Sequence, residues 1–379
     1  MKILIVGGGV AGPALTQFLK DSADITLVDK APLWGNIGYG INLWGNGQKI
    51  LKDLGIDQEV LKEGYEIPWN VFEDKKGKIL STILFDVFHP YGSATIVTRS
   101  ALQQALVKDL EKYRNIKIKL NTTVSNIIQN NTSVEVAFSD GSKDIFDLVV
   151  GADGIHSQIR DMVFGNNFLK YYGWNVYVFW APHKVSSPRG TIEFSSGGKM
   201  CFIFPMEDRS FVSLWVATKN QFFDKKENSK EILHHLFSDF KDSVDYLIDA
   251  IEDPLHIFRD NLAYVDMKHW YKGRVVLMGD AKHAVSPMMS MGASMALEDA
   301  YVLGEELKKV DKINIPLALK SYEKRRDKRV RNFHKVSNFI EGFMMVKSPF
   351  WSVLRNLALK IIPISVFTGK IEKVLAEKI

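Results

Sequence analysis

The stretch that decides the fold is Ile3-Leu4-Ile5-Val6-Gly7-Gly8-Gly9-Val10-Ala11-Gly12, close to the start of the chain. Its four large aliphatic residues predict a buried strand, and the apolar positions between residues 11 and 20 predict a helix. A second strand is predicted over residues 25 to 28. Strand, glycine turn, helix and strand make a βαβ unit, which indicates an α/β fold with a Rossmann-like first domain.

The glycines match G-x-G-x-x-G at the strand-to-helix position that a dinucleotide fold requires. Gly7 permits the tight turn, Gly9 lets the backbone approach a pyrophosphate, and Gly12 lets helix and strand touch. Asp29 follows the second strand, 20 residues after Gly9, where an acid can accept hydrogen bonds from ribose hydroxyls. The cofactor-binding residues predicted in this unit are Gly7, Gly9, Val10, Ala11, Gly12, Asp29 and Lys30.

Two later segments place an acid next to a glycine after a predicted strand. Asp153 and Gly154 follow a strand at residues 148 to 150, and Gly279 and Asp280 end a strand that begins at residue 275. A carboxylate there can accept hydrogen bonds from a polyol, and the glycine lets a ligand approach. Each pair is also compatible with a simple strand-to-loop turn.

These segments, in this order and with Arg99 opening a helix predicted over residues 99 to 113, resemble the single-component FAD-dependent aromatic hydroxylases. That family of flavoprotein monooxygenases is typified by para-hydroxybenzoate hydroxylase and includes salicylate hydroxylases and tetracycline-inactivating monooxygenases. The resemblance implies that the first glycines and Asp29 bind the ADP half of FAD and that Arg99 contacts the cofactor. It also implies that Asp153 and Gly154 serve FAD and the nicotinamide donor, and that Asp280 binds the ribityl or pyrophosphate region.

The segment after Asp280 departs from the family pattern Pro-x-x-Gly-Gln-Gly-x-Asn. Pro287 and Gly292 match, with Ala293 next, whereas Ser290, Met291 and Ser294 differ. A helix that begins near Gly292 and points its positive N-terminus at the flavin pyrimidine would stabilise an anionic reduced flavin. The resemblance therefore adds Gly279, Pro287, Gly292 and Ala293 to the cofactor-binding residues.

The activity implied by this resemblance is that of an FAD monooxygenase using NADPH or NADH and O2. It would hydroxylate an aromatic or polyketide-like small molecule through a flavin C4a-hydroperoxide. No catalytic side chain is assigned, because the chemistry is centred on the flavin. Two alternatives stay open: a flavin-dependent reductase or dehydrogenase of a lipid-like substrate, and a non-catalytic flavin-binding protein.

Composition suggests four segments along the chain. Residues 1–168 are predicted as the first part of the FAD-binding domain, 169–268 as an inserted β-sheet substrate domain, 269–343 as the second part, and 344–379 as a C-terminal amphipathic helix. Aromatic residues on the inserted strands suggest a substrate pocket. Its candidate residues are Phe179, Phe202, Phe204, Trp215 and Met288.

The remaining features argue against other classes of protein. The 379 residues carry 49 Lys and Arg against 44 acids, a net charge of +5 without a dense basic stripe, so no nucleic-acid partner is expected. Cys201 is the single cysteine, which excludes an internal disulfide and fits a reducing cytoplasm. No histidine has metal-ligand spacing, and no metal is expected.

Charged and apolar residues near the C-terminus have simple interpretations. Glu298 and Asp299 are predicted to offset a helix dipole, and the basic run at residues 324 to 331 is predicted to be a solvated helix face. No uncharged run near the C-terminus approaches the length needed to span a bilayer. The apolar residues between positions 350 and 362 recur at helical spacing, which allows either a packed helix or a membrane-surface helix.

Overall fold

The computed structural model describes residues 1–35, 39–85, 88, 94–182, 190–194, 197–206, 209–219, 225–240 and 242–379. The strands are β1 (Lys2–Val6), β2 (Asp24–Val28), β3 (Gly40–Leu43), β4 (Tyr65–Glu66), β5 (Trp69–Asp74), β6 (Ile79–Leu84), β7 (Thr95–Thr98), β8 (Ile116–Lys119), β9 (Val124–Gln129), β10 (Val134–Phe138), β11 (Lys143–Phe146), β12 (Leu148–Gly151), β13 (Leu169–Ala181), β14 (Thr191–Phe194), β15 (Lys199–Pro205), β16 (Ser210–Ala217), β17 (Phe258–Val265), β18 (Tyr271–Lys272) and β19 (Val275–Leu277). The helices are α1 (Ala11–Leu19), α2 (Gly45–Asp53), α3 (Asp57–Leu61), α4 (Arg99–Val107), α5 (Gln158–Phe164), α6 (Ser229–Phe237), α7 (Asp242–Asp249), α8 (Asp280–His283), α9 (Gly292–Lys308), α10 (Ile315–Met344), α11 (Pro349–Ile361) and α12 (Ser365–Ala376).

The first sheet holds the cofactor-binding unit. Its strand order is β18-β19-β12-β1-β2-β8, and β1 runs parallel to both β2 and β12. The central strand is buried on both faces, since Ile3, Leu4 and Ile5 have no exposed surface. This arrangement, a parallel sheet with α1 crossing between β1 and β2, confirms the predicted α/β fold.

The second sheet has seven strands in the order β17-β13-β16-β15-β14-β5-β6. Strands β5 and β6 belong to this sheet, although the sequence-based boundaries placed residues 69–84 with the first domain. Helices α6 and α7 cover one face, where Phe237 and Leu247 belong to the same buried hydrophobic cluster as Tyr177. Residues of the opposite face line a cavity together with β3, the segment from Asp280 to Ser290 and the start of α9.

Two predicted elements differ in the structure. The helix predicted to reach residue 113 ends at Val107, because Asp109 adopts a left-handed conformation with φ of 63° before a short 3-10 helix over Leu110–Lys112. The segment from Gly35 to Gly45 is rich in glycine, which predicts a loop that approaches a ligand, but it contains strand β3, which pairs with β7. Residues 36–38 of that segment lie outside the described part of the chain.

The C-terminal segment forms two helices where one was predicted. Helices α11 and α12 meet at a bend of 82°, and Pro363 lies in the break, since proline cannot continue the backbone hydrogen bonds of a helix. Within the described residues, no single helix has the length and apolar composition to cross a membrane; α11 and α12 meet that test only when taken together as a bent pair.

Candidate functional site

The glycine turn after β1 is closely packed at two positions and open at a third. Gly7 has a φ of 115°, and a Cβ there would lie 2.2 Å from the carbonyl oxygen of Ala152. A Cβ on Gly12 would lie 2.0 Å from the carbonyl oxygen of Gly7. At Gly9 the nearest atom is Nη2 of Arg99, at 3.5 Å. The chain's own packing therefore requires Gly7 and Gly12, whereas the space above Gly9 is free for a ligand.

Positive charge surrounds that free space. Helix α1 begins at Ala11, and no side chain caps its N-terminus. Arg99 Nη1 donates a hydrogen bond of 2.7 Å to the Tyr39 hydroxyl, which helps to position the guanidinium beside the turn. Uncapped N–H groups next to a cation suit a phosphate anion, and burial raises the pKa of Tyr39 so that its phenol stays neutral. The cradle thus fits the pyrophosphate of FAD.

Asp29 orders this turn from the end of β2. One carboxylate oxygen accepts from the Gly8 N–H at 2.5 Å and the other from the Ala31 N–H at 2.7 Å. The Trp34 ring lies over Gly8, where a Cβ would meet it at 2.2 Å. Val10 is half-buried and Ala11 buried, and Lys30 is exposed. The ribose contact of Asp29 stays a prediction, since a carboxylate keeps further lone pairs for it.

The carboxylate of Asp153 accepts hydrogen bonds from residues close to it in the chain. It accepts from Ser157 Oγ at 2.5 Å and from the Ile159 N–H at 3.1 Å, so it caps the start of α5. Burial raises the pKa of Asp153, and these hydrogen bonds oppose that effect. Gly154 has a φ of 78°, as the turn requires. The predicted contact of this pair with the cofactor stays a prediction.

Asp280 faces the cavity. It follows Gly279, whose φ is 59°, and its side chain opens into the cavity although protein surrounds it. Burial raises the pKa of Asp280, and the neighbouring His283 and Arg99 oppose that rise. Within the described part of the chain no hydrogen bond reaches its carboxylate. An acceptor that is free and directed into the cavity fits the hydroxyls of a ribityl chain.

The N-terminus of α9 also opens into this cavity. Gly292 and Ala293 line it, and no side chain caps the first turn of the 17-residue helix. A Cβ built on Gly292 would lie 3.9 Å from Asp280 Oδ1, so the acid and the helix start are adjacent. The arrangement fits the predicted placement of a positive helix end beside the flavin.

The residues that depart from the family pattern have structural partners. Ser290 has a φ of 50°, in the left-handed region that glycine favours, and its Oγ donates to the Pro287 carbonyl at 3.1 Å. Ser294 Oγ accepts from the Trp44 N–H at 3.1 Å and so ties α9 to the start of α2. Met291 is buried in the main core. All three residues are therefore integrated into the turn and the packing around the cavity.

The Ser290→Gly variant is expected to have a free energy of unfolding about 1 to 2 kcal/mol higher than that of the Ser290→Ala variant. The left-handed conformation costs an alanine roughly that much, and both variants lack the hydroxyl that bonds to Pro287, so the difference between them reports the backbone cost alone. Thermal or chemical unfolding of both variants with FAD removed measures the difference. Equal stabilities would show that this turn changes its conformation. Flavin reduction should change only modestly in Ser290→Gly, because the backbone path is kept.

The cavity has a volume of about 430 Å³. Its lining includes small or polar residues, namely Gly40, Asp280, Pro287, Ser290, Gly292 and Ala293, and an apolar, largely aromatic wall of Phe72, Phe85, Phe202, Phe204, Phe211, Trp215, Met288, Ile364, Phe367 and Ile371. Four of the five predicted pocket residues therefore line it. Phe179 does not, because side chains alternate along β13. Val176 and Val178 face the cavity, whereas Phe179 packs against the helices on the other face.

A cluster of buried charged residues lies behind the cavity. The predicted roles of Glu298 and Asp299 and of the basic run at residues 324 to 331 were wrong for the members of this cluster. Glu298 and Asp299 are fully buried, as are Arg326 and Arg329 of the run predicted to be a solvated face. Arg329 Nε donates to Glu298 at 2.7 Å, and Arg326 Nε donates to Asp299 at 2.7 Å. The sequence feature that could have indicated these buried pairs is their matched spacing, with two adjacent acids on α9 and two arginines three residues apart on α10.

Asp299 connects the cluster to the cavity. Its Oδ2 accepts from the Gly279 N–H at 2.7 Å and lies 2.6 Å from His283 Nε2. Burial alone would raise the pKa of Asp299, but His283, Arg326 and these hydrogen bonds lower it to about 2. The ionised carboxylate thus fixes the residue that precedes Asp280. Among the residues the structure describes, no group of His, Cys, Asp and Glu could hold a metal ion.

Known proteins share both the sequence pattern and this geometry. A sequence profile described as "FAD binding domain" matches residues 1–337. The chain belongs to this FAD-binding family of flavoprotein monooxygenases. The FAD-dependent monooxygenase asL6 of Sarocladium schorii is 30% identical over 357 residues, with 86% of this chain and 84% of the relative covered. The 6-hydroxynicotinate 3-monooxygenase of Pseudomonas fluorescens is 27% identical over 372 residues, with 92% and 94% covered.

Solved structures of flavoprotein monooxygenases have the same fold. Klebsiella pneumoniae HpxO, solved with FAD and uric acid, superposes with a TM-score of 0.87 at 23% identity, with 99% of this chain and 97% of that chain covered. The tetracycline destructase Tet(55) superposes with a TM-score of 0.78 at 25% identity, with the same coverages. The predicted family, fold, FAD cofactor and oxidoreductase activity are thereby confirmed.

Proposed function

We propose that this flavoprotein monooxygenase hydroxylates a neutral, largely apolar aromatic or polyketide-like molecule. The observation that carries the proposal is the composition of the cavity lining. Among its described residues there is no lysine or arginine, and the ionisable ones are Tyr39, Asp260, Asp280 and His283. A carboxylate-bearing substrate would be buried there without a cationic partner, which costs several kcal/mol.

The residues of this chain would bind the cofactor and exclude water from its surroundings. The glycine turn, Arg99 and Asp29 would hold the ADP half of FAD, and Asp280 with the start of α9 would hold the flavin half. Bound FAD supplies the redox chemistry, taking reducing equivalents from NADPH or NADH and activating O2. One oxygen atom enters the substrate as a hydroxyl and the other leaves as water. The aromatic wall positions the substrate and excludes water that would divert the oxidant.

Two amide side chains give the apolar wall its polar contacts. The Oδ1 atoms of Asn42 and Asn70 are buried and accept no hydrogen bond from the residues the structure describes. Both residues line the cavity. Buried polar atoms without partners are costly, so a substrate hydroxyl or amide that reaches them would gain specific binding. We place the enzyme in the cytoplasm, where its one buried cysteine stays reduced.

The test compares matched substrates with purified, FAD-loaded enzyme. We expect a neutral naphthol to stimulate NADPH oxidation and O2 uptake and to yield a hydroxylated product. The corresponding hydroxynaphthoate should be at least about tenfold poorer in kcat/KM, since each factor of ten corresponds to only 1.4 kcal/mol. A preference for the acid would overturn the assignment of a neutral substrate.

The same assay separates the monooxygenase from its alternatives. NADPH oxidation with product formation but without O2 uptake would indicate a reductase. Binding of FAD without NADPH oxidation, across phenols, indoles, quinolones and tetracyclines, would indicate a non-catalytic protein. Mass spectrometry of the product under labelled O2 identifies the source of the added oxygen atom.

A further inference from the structure

Helix α11 presents its apolar residues to the surface. Its residues Phe350, Trp351, Val353, Leu354, Leu357 and Ile361 have exposed fractions between 39% and 69%. Positions 350, 353, 354, 357 and 361 follow helical spacing and form one continuous stripe. Single exposed apolar residues are ordinary on soluble proteins, but a continuous stripe indicates a surface that binds something.

The face of α11 that packs on the protein is unusually polar. Ser352 and Arg355 are buried together with Leu359. Arg355 Nη1 donates to the Met344 carbonyl at 2.9 Å, and burial lowers the pKa of Arg355 to about 10. The helix is therefore held to the body with its arginine inward and its apolar stripe outward, the reverse of a helix that covers a core.

Two further exposed apolar residues lie on the strand next to α11. Helix α11 packs beside β6, which is the edge strand of the seven-stranded sheet. Ile79 and Leu84 on this strand have exposed fractions of 60% and 57%. We call the six apolar α11 residues, with Ile79 and Leu84, the outer patch.

Basic residues border the outer patch. Helix α11 contains no acidic residue, and exposed Lys347 and Lys360 lie before it and near its end. Lys360 follows Val353 by seven residues, so it lies at the edge of the same stripe. The segment from 347 to 379 holds the basic residues Lys347, Arg355, Lys360, Lys370, Lys373 and Lys378 and the acidic residues Glu372 and Glu377.

We propose that the outer patch binds the surface of an anionic lipid bilayer, with α11 lying in the plane of the interface. Apolar residues on one face with lysines at its border match such a surface. A second copy of the chain fits less well, because a twofold interface would bring the two lysine borders together. Helix α11 by itself reaches only about 20 Å before the bend, which is shorter than the bilayer core, so an orientation in the plane of the interface suits it.

The position of the outer patch in the fold gives binding to a bilayer a role in substrate access, whatever the identity of the substrate. Helix α12 follows α11 after the bend, and its Phe367 and Ile371, with Ile364 just before the helix, line the cavity. Phe367 also packs on Phe339 and Phe343 of α10. A bilayer that binds α11 therefore lies next to a wall of the cavity, where an apolar compound dissolved in lipid could reach it.

Vesicle co-sedimentation of the FAD-loaded enzyme tests the proposal. We expect binding to vesicles of phosphatidylcholine with phosphatidylglycerol, much weaker binding to phosphatidylcholine alone, and release as the salt concentration rises. Leu357→Glu should lower the bound fraction at least tenfold, and Lys360→Gln several-fold. The matched control is Leu317→Glu, an equally exposed leucine near the start of α10, about 40 Å along that helix from Met344.

Each outcome decides the proposal. Loss of binding in Leu357→Glu, with Leu317→Glu unchanged and both variants retaining FAD and turnover of a soluble substrate, supports it. No sedimentation of the wild-type enzyme with anionic vesicles overturns it. So does a dimer that light scattering detects in solution and that Leu357→Glu dissociates, because the patch would then bind a second copy. Equal loss in both leucine variants would show that vesicle binding is not specific to the outer patch.

Discussion

The Gly9→Ala variant is expected to fold normally and to lose at least about 99% of its affinity for FAD, roughly 3 kcal/mol. The backbone of Gly9 does not adopt the left-handed conformation, and a Cβ there meets only the end of the Arg99 side chain at 3.5 Å. The protein can therefore accommodate the methyl group. A pyrophosphate that approaches the backbone at this position cannot, because the methyl group occupies its place.

The measurement is FAD titration of the apoprotein, followed by flavin fluorescence, with unfolding measured in parallel. Gly342→Ala serves as the control, since nothing lies within 4 Å of a Cβ at that position. It should leave FAD affinity unchanged. Gly12→Ala should behave differently from both and destabilise the apoprotein itself, since its Cβ would meet the Gly7 carbonyl. Wild-type affinity in Gly9→Ala would place the pyrophosphate elsewhere.

The Asp299→Asn variant is expected to lose about 3 to 5 kcal/mol of stability. Asp299 accepts hydrogen bonds from Gly279 and Arg326 and contacts His283, all in the protein interior. Removal of one partner of a buried ion pair leaves the other charge uncompensated, and this accounts for the size of the effect. Chemical unfolding at neutral pH measures it. Asp327→Asn, which breaks an exposed pair with Arg331, should cost no more than about 1 kcal/mol.

The pH dependence gives a second measurement of the same group. The pKa of Asp299 falls from 3.8 to about 2 on folding, so its ionisation contributes about 2 kcal/mol that is fully present above pH 4 or so. That contribution is lost as the pH falls from about 4 through about 2. The wild-type protein should therefore lose more stability across this window than Asp299→Asn. Parallel pH profiles would contradict the assigned role.

The parts of the site that could be predicted from sequence depend on backbone geometry close in the chain. Gly7 and Gly12 follow from the close packing of a strand-turn-helix, Gly9 follows from the approach of a pyrophosphate to the backbone, and Asp29 follows from its spacing. Gly279 and Asp280 were predicted for the same reason, as a turn after a buried strand. Of the residues predicted for a substrate pocket, Phe202, Phe204, Trp215 and Met288 line the cavity, whereas Phe179 lies on the other face of its sheet. The alternation of side chains along a strand defines its two faces, but it does not indicate which of the two faces lines the cavity.

The amino-acid sequence by itself determined the βαβ unit, the cofactor class and the family, because those rest on short-range spacing between glycines, strands and one acid. Only the tertiary structure decided what Glu298 and Asp299 do, since their partners Arg326 and Arg329 lie about 30 residues away and become neighbours when α10 packs on α9. It also decided the direction in which α11 faces. An amphipathic pattern fixes which residues share a face, and contacts such as that of Arg355 with Met344 fix which face is turned outward.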